Sequence, residues 1–393
     1  MRTTPYQRLG ILAWAVGLPF FPALITLEPL APAGFNIIPR PVVLALVAIY
    51  GTLLLTAGPG TLLRLRTPLG GAFALLFGCL TLSALLGFDP LGSLFVVVLL
   101  GSTALVHIGA VNAFREGSGE RSLLLPYLLS GTLATAAALL LAALHRPAAL
   151  YALAHGRAVG TFLHPGELAG YALLLAAVGF GAARFAQLRV TRVAGWIAGV
   201  LGVAAVAASF SRAAWIAAIL AAAFAALVMA RGRARWTAVA VLMVGVLAFG
   251  LLGERHHNPD EDFARLAAWR AGIRAVEAAP LLGSGGATFW RIYPTLRPPD
   301  GYPDLVHAHD VLLAVATESG LLGLGAFVAL WWRFAALLRG GLARCGERAR
   351  GMVLAIVTGL LATWIQGTVD LVTIVFIALW FPMMGVALGL LEE

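Results

Sequence analysis

Two histidines and two acidic residues stand close together in the longest polar stretch of the chain. His307 and His309 flank a single alanine, Asp310 follows directly, and Glu318 lies where the next apolar run begins. An imidazole that titrates near neutral pH is a natural general base, and arginines elsewhere in the same stretch can bind an anionic leaving group. The combination favours transfer chemistry on an anionic, lipid-linked substrate.

The same histidine pair is also compatible with a metal site. Zinc needs further ligands at matching distances, and the other candidates, His256, His257 and Asp304, are scattered along the segment. The sequence therefore favours acid–base chemistry without a metal.

The elements that must position these residues are membrane helices. Hydrophobic residues make up 61% of the 393 residues and charged residues 11%, against roughly 45 to 50% and about 25% in soluble domains. Apolar runs predict an all-α, polytopic membrane protein with about twelve transmembrane helices, forming a single membrane domain over residues 1–393. The runs are centred in 9–27, 41–57, 69–88, 91–112, 122–144, 168–185, 193–208, 213–230, 236–253, 320–338, 352–366 and 375–391.

The placement of arginine predicts the orientation of these helices. All 27 basic residues are arginines, and 17 of them lie at the N-terminus or in alternate connections. Basic residues concentrate on the cytoplasmic side of a membrane, so both termini are predicted to be cytoplasmic and residues 254–309 to form a large external, periplasmic loop that carries the catalytic residues. The net charge of +9 is therefore a topology signal and not a sign of nucleic-acid binding.

Two further segments on the predicted external side contain an arginine at a break between helices. Arg157 opens a stretch that ends in Pro165 and Gly166, and Arg212 ends the short corner Ser209-Phe-Ser-Arg212. A guanidinium beside hydroxyl groups and a helix N-terminus suits a phosphate. A surface turn for Arg157, or an Arg212 side chain that reaches a lipid headgroup, fits each segment taken alone.

The loop itself predicts a helix on the outer membrane surface. Leu266, Trp269 and Ile273 recur at helical spacing, and Arg270 and Arg274 mark another face, which is typical of an amphipathic helix in contact with lipids. The glycine-rich string at 281–286 lacks the lysine and the preceding strand of a nucleotide-binding loop. It predicts a flexible hinge.

Together these segments resemble the O-antigen ligase and O-antigen polymerase superfamily of multi-spanning membrane glycosyltransferases. The resemblance runs roughly over residues 157–370, with its motifs in the expected order. Asp310 stands where an Asn usually follows the second histidine, and Gly166-Glu167 replaces a usual Asn-containing turn. The motifs are Arg157-Ala-Val-Gly-Thr-Phe-Leu-His-Pro; Ser209-Phe-Ser-Arg212; Arg265-Leu-Ala-Ala-Trp269 with Pro280-Leu-Leu-Gly283-Ser-Gly285; and His307-Ala-His309-Asp310 with Glu318-Ser-Gly320-Leu-Leu-Gly323.

The resemblance implies an inverting transfer, without metal or cofactor, on the periplasmic face of the bacterial inner membrane. The donor would be a glycan on undecaprenyl diphosphate and the acceptor a lipid A core sugar, as for an O-antigen ligase. A polymerase or a protein O-oligosaccharyltransferase of the same superfamily stays open. Arg212 and Arg265 would bind the diphosphate with help from Arg157, His309 would activate the acceptor hydroxyl, and His307, Asp310, Glu318 and Trp269 would support them.

A transporter is the competing class, since many spans with polar residues among them also suit carriers. Many carriers place paired broken helices near the bilayer midplane of two related halves. Here the irregular and charged segments concentrate on one predicted face and the two halves look unlike each other. The sequence therefore favours an enzyme.

The predicted orientation can be tested with a thiol reagent that does not cross membranes. Because positive charge marks the cytoplasmic side, a cysteine introduced at Asp300 should react in intact spheroplasts, whereas Cys345 should react only after permeabilisation. Labelling of Cys345 alone in intact cells would reverse the orientation.

Overall fold

The computed structural model describes residues 3, 5–20, 67–162, 164–229, 259–370 and 373–392, together with 232, 236, 239–240, 243–247 and 251. These residues form helices and connections, with no β-strand among them. The helices are α1 (Pro5–Gly17), α2 (Gly70–Leu86), α3 (Pro90–Arg115), α4 (Leu125–Ala143), α5 (Ala148–Leu153), α6 (Pro165–Phe185), α7 (Arg189–Ser209), α8 (Arg212–Met229), α9 (Pro259–Ala278), α10 (Phe289–Leu296), α11 (Val311–Leu342), α12 (Glu347–Gly367) and α13 (Thr373–Leu390).

Six of the described helices are long and apolar enough to cross a membrane: α3, α4 with the π-helical turn Glu120–Leu124 before it, α6, α7, α11 and α12. Shorter apolar helices lie at α2, α8 and α13. These nine coincide with nine of the predicted spans, which confirms the all-α, polytopic membrane architecture. Of the other predictions, α1 covers the first part of 9–27, 41–57 lies outside the described residues, and 236–253 is described only at scattered positions.

Glycines bring α6 and α7 into backbone contact. A Cβ on Gly179 would lie 2.7 Å from the backbone nitrogen of Gly199 and 2.8 Å from the carbonyl oxygen of Gly195. Close approach of this kind gives the van der Waals contact that helix pairs in lipid rely on, because burial from lipid tails adds little hydrophobic gain. Of the six long apolar helices, α6 has the largest buried share. Its N-terminal end lies beside the candidate site.

Indole rings join the C-terminal three helices. Trp364 of α12 stacks on Trp380 of α13 at 5.8 Å, and Trp331 of α11 meets each of them edge-on at 5.3 Å. The indole nitrogen of Trp380 donates a hydrogen bond to the hydroxyl of Thr363 over 2.8 Å. Aromatic pairs of this geometry stabilise packing beyond the area they bury, so the helices that flank the candidate site are held as one unit.

The described connections separate into two groups at opposite ends of the bundle. One group contains the N-terminal segment, the connections after α3, α6 and α11, and the C-terminal residues, all of which are predicted to be cytoplasmic. The other group contains the segments with the chemically interesting residues. The first group is joined by the ion pairs Arg8–Glu116 (3.9 Å), Arg348–Glu120 (3.5 Å) and Arg115–Glu392.

The long helix α11 is broken inside its apolar sequence. At Gly320 the backbone has φ 67° and ψ −176°. An interrupted helix at membrane depth needs other partners for its backbone groups, and the segment 280–285 supplies them. Its backbone bonds run from Ser284 N to Thr317 O (3.0 Å), Gly285 N to Glu318 O (2.9 Å), and Leu321 N to Pro280 O (2.7 Å).

Close packing explains the glycines of this segment. A Cβ on Gly283 would lie 2.6 Å from the backbone nitrogen of Gly320, and a Cβ on Gly320 would lie 2.2 Å from the carbonyl carbon of Leu281. The segment is hydrogen-bonded to α11 along its length, so the prediction of a flexible hinge was wrong. The glycines allow close contact between the backbones of residues 280–285 and α11, which the local sequence does not show.

Replacing Gly320 with alanine should therefore destabilise the protein strongly. The left-handed backbone and the overlap with Leu281 both oppose a side chain, and together they should cost about 3 kcal/mol or more. Gly325→Ala is the matched control on the same helix, because a Cβ there meets nothing within 4 Å. Apparent unfolding midpoints of the purified proteins would measure both effects. Equal midpoints for the two variants would contradict the proposed packing.

Candidate functional site

Several helix ends meet at the end of the bundle that carries His309. Asp310 caps the N-terminus of α11 and His164 caps that of α6. Arg212 is the first residue of α8, and Asp370 follows the C-terminus of α12. Helix N-termini present unsatisfied N–H groups and a positive dipole end, so the place is suited to negative charge.

The backbone determines the direction of the His309 side chain. His309 has a left-handed φ of 51°, which is uncommon for residues other than glycine. The indole nitrogen of Trp269 donates to the carbonyl oxygen of His309 over 3.3 Å. On the other side, the carboxylate of Asp310 accepts from the backbone nitrogen of Leu313 over 2.7 Å.

The role of Asp310 as a helix cap explains how it can stand in place of the usual Asn. Aspartate and asparagine are equally good N-cap residues, so the start of α11 is preserved although Asp310 stands where the superfamily usually has Asn. Burial raises the pKa of the Asp310 carboxyl.

A buried carboxylate lies behind the imidazole of His309. Oδ1 of Asp370 is 3.6 Å from Nδ1 of His309, and Asp370 is only 4% exposed. Burial alone would raise the pKa of the Asp370 carboxyl, but His309, His164 and Arg265 outweigh it and hold that pKa below its ordinary value. An ionised Asp370 on this side favours the tautomer of His309 with its ring proton on Nδ1.

Gly166 leaves space for this carboxylate, and His164 and Gln366 hydrogen-bond to the backbone of Gly166. A Cβ at Gly166 would lie 2.5 Å from Oδ2 of Asp370. The backbone nitrogen of Gly166 donates to Nδ1 of His164 over 3.2 Å, and the amide of Gln366 donates to the carbonyl oxygen of Gly166 over 2.8 Å. Desolvation lowers the pKa of the His164 imidazole although the residue keeps an exposed surface, and the bond from Gly166 requires the neutral ring.

Sequence reasoning did not select Asp370 or His164 as site residues. His164 was visible only as part of the first motif. The signal for Asp370 was an acidic residue directly after an apolar span, since ionisable residues at membrane depth are commonly functional. Their link to His309 depends on contacts between distant parts of the chain.

A tight corner positions Arg212. Phe210 has a left-handed φ of 47°, and the backbone nitrogen of Ala214 donates to the hydroxyl of Ser211 over 3.3 Å. The backbone nitrogen of Ala158 donates to the carbonyl oxygen of Ala208 over 2.9 Å. This bond ties the segment that carries Arg157 to the same corner.

The structure brings the three predicted phosphate-binding arginines onto one pair of carboxylates at the start of α9. Nη2 of Arg212 donates to both oxygens of Asp262, at 2.7 and 2.8 Å, and Nη1 of Arg265 donates to Oδ1 of Asp262 at 2.8 Å. Nη2 of Arg265 is 3.5 Å from Oε2 of Glu261, and Arg157 pairs with the same carboxylate. The sequence did not predict this acidic pair.

Of the predicted supporting residues Glu318 and His307, the structure places His307 against His309 and Glu318 beside the start of α10. The Glu318 side chain lies beside the backbone of Ala287 and Phe289, at the start of α10. The ring of His307 lies edge-on to that of His309 at 4.2 Å. Burial above all, and then His309, lower the pKa of His307 to about 3, which leaves a neutral ring beside the candidate base.

Helix α9 turns its large apolar residues outward and buries a face of small residues against the bundle. Leu266 and Ile273 are exposed, at 48% and 53%, and Trp269 is half-buried against His309. Small side chains allow the opposite face to lie close against α11, where a Cβ on Gly272 would come within 2.7 Å of Leu313. The large apolar residues therefore mark the outer face. The buried face consists of Ala264, Ala267, Ala268, Ala271, Gly272 and Ala275.

Within the described part of the chain, no group of three or more His, Cys, Asp or Glu side chains is placed to hold a metal ion. His256 and His257 lie outside that part. The absence of a metal from the chemistry stays a prediction.

Comparison with known families supports the resemblance that the motifs indicate. Residues 197–328 match the family described as O-Antigen ligase, about a third of the chain, and this confirms the likeness to that superfamily. The match includes Arg212, Arg265 and His309, while Arg157, His164 and Asp370 lie outside it. A comparison with curated proteins found no match.

The low pKa of His307 predicts that acid destabilises the protein. Its pKa is about 3 in the fold against about 6.5 unfolded. The neutral ring of His307 therefore makes its full contribution to the free energy of unfolding above pH 6.5. This contribution is lost as the pH falls toward 3, because His307 is protonated in the unfolded chain before it is protonated in the folded protein. Between pH 7 and 5.5 the loss should be about 1 kcal/mol, and it should shrink in His307→Gln. Apparent unfolding midpoints would test this, with the exposed His145→Asn as control. An unchanged pH dependence in His307→Gln would contradict it.

Proposed function

We propose that this chain, whose residues 197–328 match the O-antigen ligase family, is a membrane glycosyltransferase that moves a glycan from undecaprenyl diphosphate to an acceptor hydroxyl. One observation carries the proposal: the buried carboxylate of Asp370 lies 3.6 Å from the imidazole of His309, and the charge of Arg265 helps to lower the pKa of that carboxylate, so a candidate base and the arginine group lie at the same end of the bundle. A base for the acceptor and cations for the leaving group are what transfer from a lipid diphosphate needs.

His309 would act on the acceptor. Its side chain is 18% exposed, against 5% for that of Asp370, so the imidazole is the partner open to a substrate. Nε2 would take the proton of the acceptor hydroxyl while the oxygen attacks the anomeric carbon. Asp370 would stabilise the resulting imidazolium, as a buried carboxylate does in other oriented histidine bases.

The arginines would act on the donor. As the bond between the anomeric carbon and the diphosphate oxygen breaks, negative charge develops on the diphosphate. Guanidinium groups held in place offset that charge, and their forked geometry matches phosphate oxygens. A single displacement of this kind inverts the configuration at the anomeric carbon and leaves undecaprenyl diphosphate as the second product. Charge on the arginines takes the place of a metal ion in this proposal.

The site would face the periplasm, since the alternation of connections and the arginine count predict that residues 254–309 lie on that side. An O-antigen ligase would use a sugar of the lipid A core as acceptor. A polymerase or a protein O-oligosaccharyltransferase would run the same chemistry on a different acceptor. Glycans from a deletion strain distinguish the first two, because loss of a ligase leaves polymerised donor and loss of a polymerase leaves single repeat units.

The assigned base predicts a specific order of mutational effects. His309→Ala should slow transfer by about 10² to 10⁴, the usual contribution of a general base. Asp370→Asn should also reduce the maximal rate, since the imidazole loses its orienting carboxylate, while donor binding persists in both variants. Initial rates and donor affinity of the purified proteins would be measured together.

Arg270→Ala is the matched control, because Arg270 is an exposed residue of α9 outside the proposed site, and it should keep the wild-type rate. A fully active His309→Ala enzyme would eliminate the proposed base.

A further inference from the structure

The arginines that the proposed function assigns to the diphosphate are already engaged by carboxylates of the same chain. Asp262 accepts hydrogen bonds on both of its oxygens from one nitrogen of Arg212, and its Oδ1 also accepts from Arg265. Glu261 lies between Arg265 and Arg157. The two acidic residues therefore occupy positions where oxygens of an incoming phosphate would meet the same N–H groups.

Charge shows what this arrangement does to a ligand. Three guanidiniums facing two carboxylates leave a net charge of about +1, where the arginines alone would present about +3. A phosphodiester with one negative charge replaces one carboxylate without a gain in charge. A lipid diphosphate joins two phosphates in one molecule, so a single ligand can replace both carboxylates and keep all three arginines paired.

The exposure of these side chains shows how open the carboxylates are to an incoming ligand. The Asp262 side chain is 46% exposed and that of Glu261 27%, while the Arg157 side chain is 8% exposed. Asp262 is thus more open than its partners Arg212 (28%) and Arg265 (20%). Glu261 is more open than its partners Arg157 and Arg265. Acidic residues in a first helical turn also stabilise the helix dipole, but a dipole alone does not require contacts with arginines on other elements.

We propose that Glu261 and Asp262 are internal counter-ions that a lipid diphosphate displaces, and that they make the site selective against the singly charged phosphodiesters of surrounding phospholipids. This inference rests on the proposed function, because it takes the three arginines as the diphosphate site. A binding site can gain specificity from charges that an abundant competitor, here a phospholipid, displaces without a gain in binding energy.

The test uses the full-length protein in detergent and two soluble probes, farnesyl diphosphate and dihexanoyl phosphatidylglycerol. Wild-type protein should bind the first and bind the second far more weakly. Asp262→Asn should bind farnesyl diphosphate about tenfold more tightly, because a nearby like charge is removed. Its affinity for dihexanoyl phosphatidylglycerol should rise as well, to a level that the wild type does not reach. Glu261→Gln should act in the same direction.

Two controls separate a site effect from a general charge effect. Glu277→Gln removes the same charge from the exposed far end of α9, and it should bind both probes like the wild type. Asp262→Glu keeps the charge and should keep the selectivity. Unfolding midpoints would establish that each variant is folded before its dissociation constants are compared.

The outcomes distinguish this inference from the proposed function. If Asp262→Asn and Glu261→Gln weaken binding of farnesyl diphosphate, the acids only position the arginines and the counter-ion proposal is wrong, while the phosphate site stands. Binding identical to that of Glu277→Gln would overturn it equally. If Arg212→Ala binds farnesyl diphosphate as well as the wild type does, the diphosphate site itself is wrong, and both proposals fail.

Discussion

The buried carboxylate of Asp370 is the interaction on which this end of the bundle depends. A buried charge is costly unless it is paired, and Asp370 obtains its partners from three separate elements. His309 precedes α11, His164 precedes α6, and Arg265 lies on α9, and all three lower the pKa of the Asp370 carboxyl. Gly166 permits the approach, because a Cβ there would overlap the carboxylate. One ionised group thus brings together the ends of four helices, including α12.

A second constraint acts on the backbone. A broken helix inside an apolar segment must find other hydrogen-bond partners, and α11 finds them at residues 280–285. That segment connects α9 to α10, so the break at Gly320 also determines how α9 and α10 lie on the bundle. Trp269 then reaches the carbonyl oxygen of His309 from α9. The packing of glycines and the placement of the candidate base are therefore parts of one arrangement.

Much of the fold could be predicted from the sequence, because each membrane-spanning helix is a continuous run of apolar residues whose length is set by the bilayer. The alternation of arginine-rich connections also groups the ion pairs of the opposite end correctly. The motif arginines were named from the resemblance to the superfamily, and their phosphate-binding roles stay predictions. The buried face of α9 was not predicted, because it consists of alanines and one glycine, which the spacing of the large apolar residues does not mark. Asp370 and the pair Glu261–Asp262 depend on contacts between distant segments, which no local pattern records.

The central claim is that this end of the bundle carries out a transfer and does not pass a substrate across the membrane. The most direct measurement is reconstitution of the protein in liposomes with a glycan on undecaprenyl diphosphate and an acceptor on the outer surface. Mass analysis would then count glycosylated acceptor against released undecaprenyl diphosphate. The account predicts equal amounts of the two products, formed without movement of intact donor between leaflets. Intact donor that crosses the bilayer while the acceptor stays unmodified would contradict it.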